Sequence, residues 1–360
     1  MFNPTLSTQL QINGSAYSFS PHPAVSGLVW GQEGRRAIVY RIVEMRRRGD
    51  GEAYALKVFR PVHRRPSLVE AAAALTTYSE LPGMRVAEQT VLTRETYPDL
   101  LERYEDLEYA MVMPWIEGAT WFDHLNERRR LSLKESRKLA MHMARILSEL
   151  EGKGLAHCDL SSANVIIDPS QTVLHLVDVE DFYGPDMPQP PRLPAGTPGY
   201  QHSTSHEGQW SPLGDRFAGA ILIGETLGWA HPAVRTRRYA ESYFDPAEMQ
   251  KSNTRFRVLR GVLRIHDGRL ADLFEAAWRA DTLEACPPLG EWYEVLQDLP
   301  LEDPVATWQA IETSFYETRP EPRWRQIRIR LPSPDRILAA LIMTAIVIYM
   351  VSVFLSTLIN

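Results

Sequence analysis

The residues of this 360-residue chain best placed to do chemistry are polar groups lodged inside, or at the ends of, apolar strands. Lys57 sits within Tyr54-Ala55-Leu56-Lys57-Val58-Phe59, where an ammonium must either face water or meet a partner. Only five of the 39 basic residues are lysines, the other 34 being arginines, so a lysine is a minority choice here. A compact, strongly hydrated point charge is what a phosphate contact can require, and a solvent-facing strand lysine is the plain alternative. Glu70, on the segment that follows, can pair with Lys57.

A second cluster, residues 154–168 (GLAHCDLSSANVIID), places Asp159 and Asn164 on a loop between a helix and a strand. A carboxylate on a fixed loop can accept a hydroxyl proton, and an amide five residues later can offer its oxygen to a hard cation. Asp178, closing the apolar run TVLHLVD, is placed to bind Mg²⁺ together with Asn164. Cys158 beside His157 has no surrounding sequence of the kind that accompanies thiol nucleophiles.

The elements that must position these groups follow from hydrophobic patterning. Residues 37–59 read as an antiparallel pair with Asp50-Gly51 as its hairpin turn. Residues 67–79 are alanine-rich and predict a helix with Ser67 as N-cap, and further strands are expected at 86–94 and 109–114. Ser132 opens a helix in which Leu139, Met143, Ile146, Leu147 and Leu150 recur at helical spacing until Gly152 and Gly154. Two short strands, a proline-rich loop over 184–200, a long apolar helix from about Arg216 to Gly228 and a helical remainder complete the pattern. A β-rich part thus precedes a helical part, with the polar loop residues near their junction, an order that suits a cleft enzyme.

Composition limits the partners. A net charge of −6 with 23% charged residues gives no basic field, which argues against nucleic acid. Cys158 and Cys286 stand in no metal-ligand spacing, and two cysteines make no disulfide scaffold. Residues 337–359 carry no charge across 23 positions, enough at about 1.5 Å per residue to cross a bilayer core of roughly 30 Å. This predicts a single-pass C-terminal transmembrane helix. Arg323, Arg325, Arg328, Arg330 and Arg336 precede it and only Asn360 follows, so the positive-inside rule holds the rest of the chain in the cytoplasm, and no signal peptide is evident. Residues 301–336, rich in proline and arginine, read as a juxtamembrane linker.

Taken in order, these fragments resemble the protein kinase superfamily. Ala55-Leu56-Lys57 is similar to the VAIK lysine strand, Glu70 to the αC glutamate, and VMPWIEG (112–118) to the hinge. His157-Cys158-Asp159-Leu160-Ser161-Ser162-Ala163-Asn164 resembles the HRDLxxxN loop, and Asp178-Val179-Glu180 takes the place of DFG. Gly196-Thr197-Pro198-Gly199-Tyr200 resembles the end of an activation segment, and Asp215 the aspartate that braces the catalytic loop.

The resemblance spans residues 25–300 and implies an α+β, two-lobed protein kinase-like fold. A small antiparallel N-lobe (25–113) would precede a helical C-lobe (117–300), after an N-terminal extension (1–24). It implies transfer of the ATP γ-phosphoryl group to Ser/Thr hydroxyls of a protein substrate, with ATP and Mg²⁺ as cofactors. Lys57, oriented by Glu70, would hold the α and β phosphates; Asp159 would be the base; Asn164 and Asp178 would bind Mg²⁺. Gly34 would be the middle glycine of the phosphate loop. Ala55, Met113 as gatekeeper, the Pro114 carbonyl and the Ile116 N–H would frame the adenine.

Several positions depart from the family. The glycine loop is thin, with Ala37 at its third glycine and Gln32, beside Gly31, at its first. Cys158 replaces the HRD arginine, which implies activity without phosphorylation of the activation segment. Ser161 stands where Ser/Thr protein kinases commonly place a lysine, and Glu180 replaces the DFG glycine. Asp181 offers a rival metal ligand. Gln201-His202-Ser203-Thr204 stands where APE should be, and its arginine partner near residue 286 is missing too. Two further readings accompany the protein kinase one: a small-molecule phosphotransferase of the aminoglycoside or choline kinase type, and a pseudokinase scaffold. The GTPGY segment and Asp215 favour the protein kinase type over the former.

Overall fold

A computed structural model describes residues 2–46, 51–169 and 173–299, all within one compact unit. Its N-terminal part is a seven-stranded antiparallel sheet. Strands β1 (Gln9–Ile12) and β2 (Ser15–Phe19) form a hairpin turning at Asn13-Gly14, where φ is 51° and 79°. Two successive positive φ values give the mirror-image turn whose twist matches paired strands. Strands β3 (Gly31–Glu33), β4 (Ala37–Glu44) and β5 (Ala53–Phe59) follow. Then come α1 (Ser67–Thr76), β6 (Thr90–Val91), α2 (Pro98–Arg103) and β7 (Met111–Pro114).

The order is β1-β2-β4-β5-β7-β6, and β3 shares with β2 one edge of β4. Residues 1–24, set apart from sequence as an extension, therefore supply two strands of the sheet itself. Leu10, Ile12, Phe19, Tyr40, Ile42, Leu56, Val58 and Val112 form its core with Leu92, Leu101 and Leu107. The β4–β5 pairing is as expected, while the turn residue Asp50 lies outside the described residues. Two local expectations are corrected. Helix α1 has Pro66, not Ser67, at its N-cap, because proline's fixed φ (here −58°) already suits helix entry. Of residues 86–94 only Thr90–Val91 pairs as a strand, since Val86 and Ala87 turn inward to the core.

The C-terminal part is helical around a small sheet, β10-β9-β8, of Ala119–Thr120 (β8), Val165–Ile167 (β9) and Leu174–Leu176 (β10). Helix α3 (Trp121–Asn126) is followed by α4 (Leu133–Gly152). The predicted cap of α4 is a full capping box: the Ser132 hydroxyl accepts from Glu135 N–H, and the Glu135 carboxylate from Ser132 N–H. Its apolar stripe packs on α5 (Arg216–Gly228) and α9 (Leu289–Gln297). Helices α6 (Pro232–Arg235), α7 (Thr254–His266) and α8 (Gly268–Arg279) complete the part.

Every residue of α5 from Phe217 to Gly228 is buried, nearly all of them apolar, and the helix forms the axis on which the others pack. Each fully buried Leu or Ile on it contributes about 1.5–3 kcal/mol, which fixes Asp215, at its N-terminal end, in place. Among the described residues no helix is long and apolar enough to cross a membrane, and the span expected at 337–359 lies outside them.

Candidate active site

The loop joining α4 to β9 is held by the axial helix. Both oxygens of Asp215 accept backbone N–H groups, Oδ2 from His157 at 2.6 Å and Oδ1 from Cys158 at 2.9 Å. Burial pushes the Asp215 carboxyl up, but two N–H donors pull the other way. His157 Nε2 lies 2.8 Å from the Val177 carbonyl, an acceptor only, so Nε2 carries the proton and Nδ1 accepts from Asp159 N–H at 3.3 Å. These bonds aim Asp159 with Cys158 at φ 64°. Cys158 itself is buried, with its thiol pushed well up by desolvation, which excludes a thiolate nucleophile.

Asp159 Oδ1 accepts from the Thr197 hydroxyl at 2.9 Å. Burial raises its carboxyl above the usual aspartate range, as do Asp181 and Asp178 nearby, while His157 and Thr197 oppose the shift. Asn164 donates through Nδ2 to the Asp159 carbonyl at 2.8 Å, which leaves Oδ1 as the amide's acceptor. The Asn164 carbonyl accepts from Val177 N–H at 3.0 Å, so Asn164 and Asp178 belong to adjacent chain segments.

Opposite them, β5 carries Lys57 into the interior, where it is 6% exposed. Its Nζ pairs with Asp178 Oδ1 and, at 2.6 Å, with Glu180 Oε1. Burial disfavours the ammonium, yet the two carboxylates outweigh it and the group is held charged. Asp178 is driven well below the usual range, first by the Lys57 charge. Glu180, just as buried as Lys57, is driven up by desolvation.

Here the structure corrects one expected pairing. Glu70 is exposed on α1, and the carboxylate that orients Lys57 is Glu180. A buried ammonium already paired with buried Glu180 and with half-exposed Asp178 needs no third partner from the helix. Asp181, the rival metal ligand, is buried and bonded to Arg36 Nη1 at 2.8 Å.

The remaining positions form the rim. Gly34 N–H donates to the Ala37 carbonyl at 2.8 Å and closes the β3–β4 turn, so it is committed within the hairpin. Ala55 registers against Met113, and Tyr54 against Pro114. Trp115 N–H is committed to the Ala53 carbonyl at 3.1 Å, whereas among the described residues no acceptor meets the Ile116 N–H. Arg41 braces this segment, with its guanidinium 5.3 Å from the Trp30 ring and 5.8 Å from that of Trp115, and a 2.9 Å ion pair to Glu117.

The segment after Thr197 is pinned by groups that sequence reasoning did not single out. Tyr200 donates its hydroxyl to Glu225 Oε2 at 2.9 Å, Trp121 Nε1 donates to the same oxygen at 3.0 Å, and Tyr243 N–H donates to Oε1 at 2.5 Å. Total burial pushes the Glu225 carboxyl up to about 7 despite these donors. Gly199, at φ 92°, lies against the Ser242 hydroxyl, where a Cβ would collide. Buried His202 holds the chain just beyond Tyr200. Its Nε2 lies 3.0 Å from the Ala280 carbonyl, and Gln250 Nε2 donates to that carbonyl at 2.8 Å. Burial lowers the pKa of this imidazole.

The structure therefore links Lys57 to Asp178, and Asn164 to Asp159 and to the segment that carries Asp178, and leaves Glu70 outside this group. Among the described residues no three His, Cys, Asp or Glu side chains cluster as a self-sufficient metal cage. Mg²⁺ does not require one: it takes one or two carboxylates, waters and substrate phosphates. Asp178, its side chain 47% exposed, and the Asn164 amide oxygen fit that demand. No family model matches the chain, and no curated protein matches its sequence.

Proposed function

We propose that this chain is a protein kinase-like phosphotransferase that moves the γ-phosphoryl group of ATP to Ser/Thr hydroxyls of a protein, from a two-lobed cytoplasmic domain tethered by the 337–359 segment. One observation carries the reading. Lys57 on β5 meets Asp178, 121 residues later, at the mouth of a loop whose carboxylate, Asp159, is aimed by a fully braced backbone.

In this reading the acceptor oxygen attacks the γ-phosphorus, the bond to the bridging oxygen breaks, and its electron pair leaves with ADP. The hydroxyl proton passes to Asp159, whose raised affinity for protons suits a general base. Thr197, which donates to Asp159 Oδ1, stands where the acceptor hydroxyl must come and holds the carboxylate's rotamer. Lys57 turns from Asp178 to the α and β phosphates while Glu180 keeps it oriented. Asp178 and Asn164 would hold Mg²⁺, which would supply charge neutralisation at the phosphates. The Ile116 N–H and Pro114 carbonyl offer the donor and acceptor for adenine.

A second reading, a nucleotide-binding scaffold without transfer, draws on the exposed Glu70 and on the ion pairs that engage Lys57 and Arg36. Incubation with Mg²⁺ and γ-labelled ATP, with generic protein acceptors, decides between them. Wild type is expected to transfer label, and Lys57→Ala, Asp159→Ala and Asp178→Ala are not. An ATP-dependent thermal shift without transfer would support the scaffold; neither signal would refute both. Transfer surviving Asp178→Ala but lost in Asp181→Ala would move the metal to Asp181.

A further inference from the structure

The cleft is rich in acid. Asp178 and Asp181 act on Asp159, and Asp178 on Glu180, and a site that accepts a triphosphate must supply cations against these carboxylates. Lys57 is one. The usual further sources are weak here, because Gly34 N–H is spent inside the hairpin, Ala37 replaces a glycine, and Ser161, buried, replaces a lysine.

Among the described residues one other cation forms an ion pair with a carboxylate of this cleft: Arg36. It sits at the apex of the β3–β4 hairpin, whose turn spans Arg35 and Arg36. Arg60 steadies that apex from behind, its N–H donating to the Arg36 carbonyl at 2.9 Å and its guanidinium to Glu33 at 2.5 Å. The Arg36 side chain is 35% exposed, while its partner Asp181 is 5% exposed. Asp159 and Asp178 also act on its charge, and Asp181, which it holds, follows directly on Glu180, the partner of Lys57.

We propose that Arg36 is the γ-phosphate clamp of this site, standing in for the glycine cradle and for the lysine absent at Ser161, an inference that rests on the phosphotransferase reading. The bond to Asp181 uses one of five guanidinium N–H donors. The others meet phosphate oxygens in the bidentate geometry that arginine provides, without stripping the buried Asp181 of its cation. Asp181 is thus the positioning residue and Arg36 the phosphate contact. Charge developing on the γ-phosphoryl oxygens is met by Arg36 together with Lys57.

Only ATP carries the group that Arg36 contacts, so affinity for MgATP against MgADP is the readout, measured by titration on the full chain in detergent micelles. Arg36→Ala is expected to weaken MgATP about 10- to 100-fold, the span of one or two charged hydrogen bonds, and to leave MgADP within about 3-fold. Arg36→Lys is expected to recover part of the loss, and Lys57→Ala to weaken both nucleotides. Equal weakening of both by Arg36→Ala would mean a structural hairpin residue and overturn the proposal, as would no change in either. Asp181→Asn is expected to erode the ATP preference partly; abolishing the Mg²⁺ dependence of binding would instead make Asp181 the metal ligand and overturn its positioning role. A wild-type chain that binds neither nucleotide refutes the phosphotransferase reading itself.

Discussion

Replacing Lys57 with alanine tests the buried charge cluster before any nucleotide is added. Lys57 Nζ lies 2.6 Å from Glu180 Oε1, with side chains 7% and 6% exposed, so the pair is desolvated on both sides. Removing one partner of such a pair costs about 3–5 kcal/mol, because the other charge is left buried and uncompensated. Asp178, nearly half exposed, can rehydrate, so the penalty comes mainly from Glu180. In a unit of this size that is a fall in Tm of roughly 10 °C.

Glu180, already raised by burial, will then take up a proton. A carboxyl whose folded-state pKa exceeds its unfolded value favours the folded state at low pH and loses that stability as pH rises. Lys57→Ala is therefore expected to be most destabilised at pH 8 and to recover toward pH 5. The double variant Lys57→Ala/Glu180→Gln should regain at least half of the loss at pH 8, whereas Glu70→Ala, on an exposed helix face, should stay within about 0.5 kcal/mol of wild type. Thermal unfolding across that pH range reads all of these. Lys57→Ala within about 1 kcal/mol of wild type, or a double variant no more stable than the single, would refute the reasoning.

Three other outcomes follow from the same network. Glu225, pushed up to about 7, holds a proton in the folded state that it loses when unfolded above its usual range near 4.5. It therefore contributes a loss of about 3 kcal/mol as pH rises from 4.5 through 7, and Glu225→Gln should flatten that part of the stability profile. Asp215→Ala strips His157 and Cys158 N–H of their acceptors. It should cost about 3 kcal/mol in unfolding experiments and reduce phosphoryl transfer further than stability alone explains. Gly199→Ala forces a Cβ into positive φ and into Ser242. A destabilisation of about 2 kcal/mol or more is expected by denaturant titration.

The parts of the site legible in the sequence were those where a polar residue interrupts an apolar run. Lys57 within β5, Asp178 at the end of β10 and Asp215 ahead of α5 each stand out against neighbours that must be buried. The boundaries of α4 and α5 were legible for a related reason, a capping box in one and an unbroken apolar stretch in the other. The exchange of Glu180 for Glu70 was not, because it depends on which of two carboxylates meets an ammonium across 123 residues. Local patterning carries no information on that.

The first hairpin is a different case. Leu10, Ile12, Tyr17 and Phe19 alternate inward around Asn13-Gly14, the strongest short turn signal a chain can carry, so the information was present in residues set aside as an extension. His202 shows the opposite limit: what its buried ring meets is decided by the carbonyl of Ala280, 78 residues away.

The central claim is that this cleft moves a phosphoryl group with Asp159 as base. It is tested most directly by offering wild type and Asp159→Asn a protein acceptor with MgATP labelled at either the γ or the α position, then identifying the labelled amino acid. The account predicts label on Ser/Thr from γ-labelled ATP alone, with the rate in Asp159→Asn lower by about 10²-fold or more. Transfer that proceeds equally well in Asp159→Asn would contradict it.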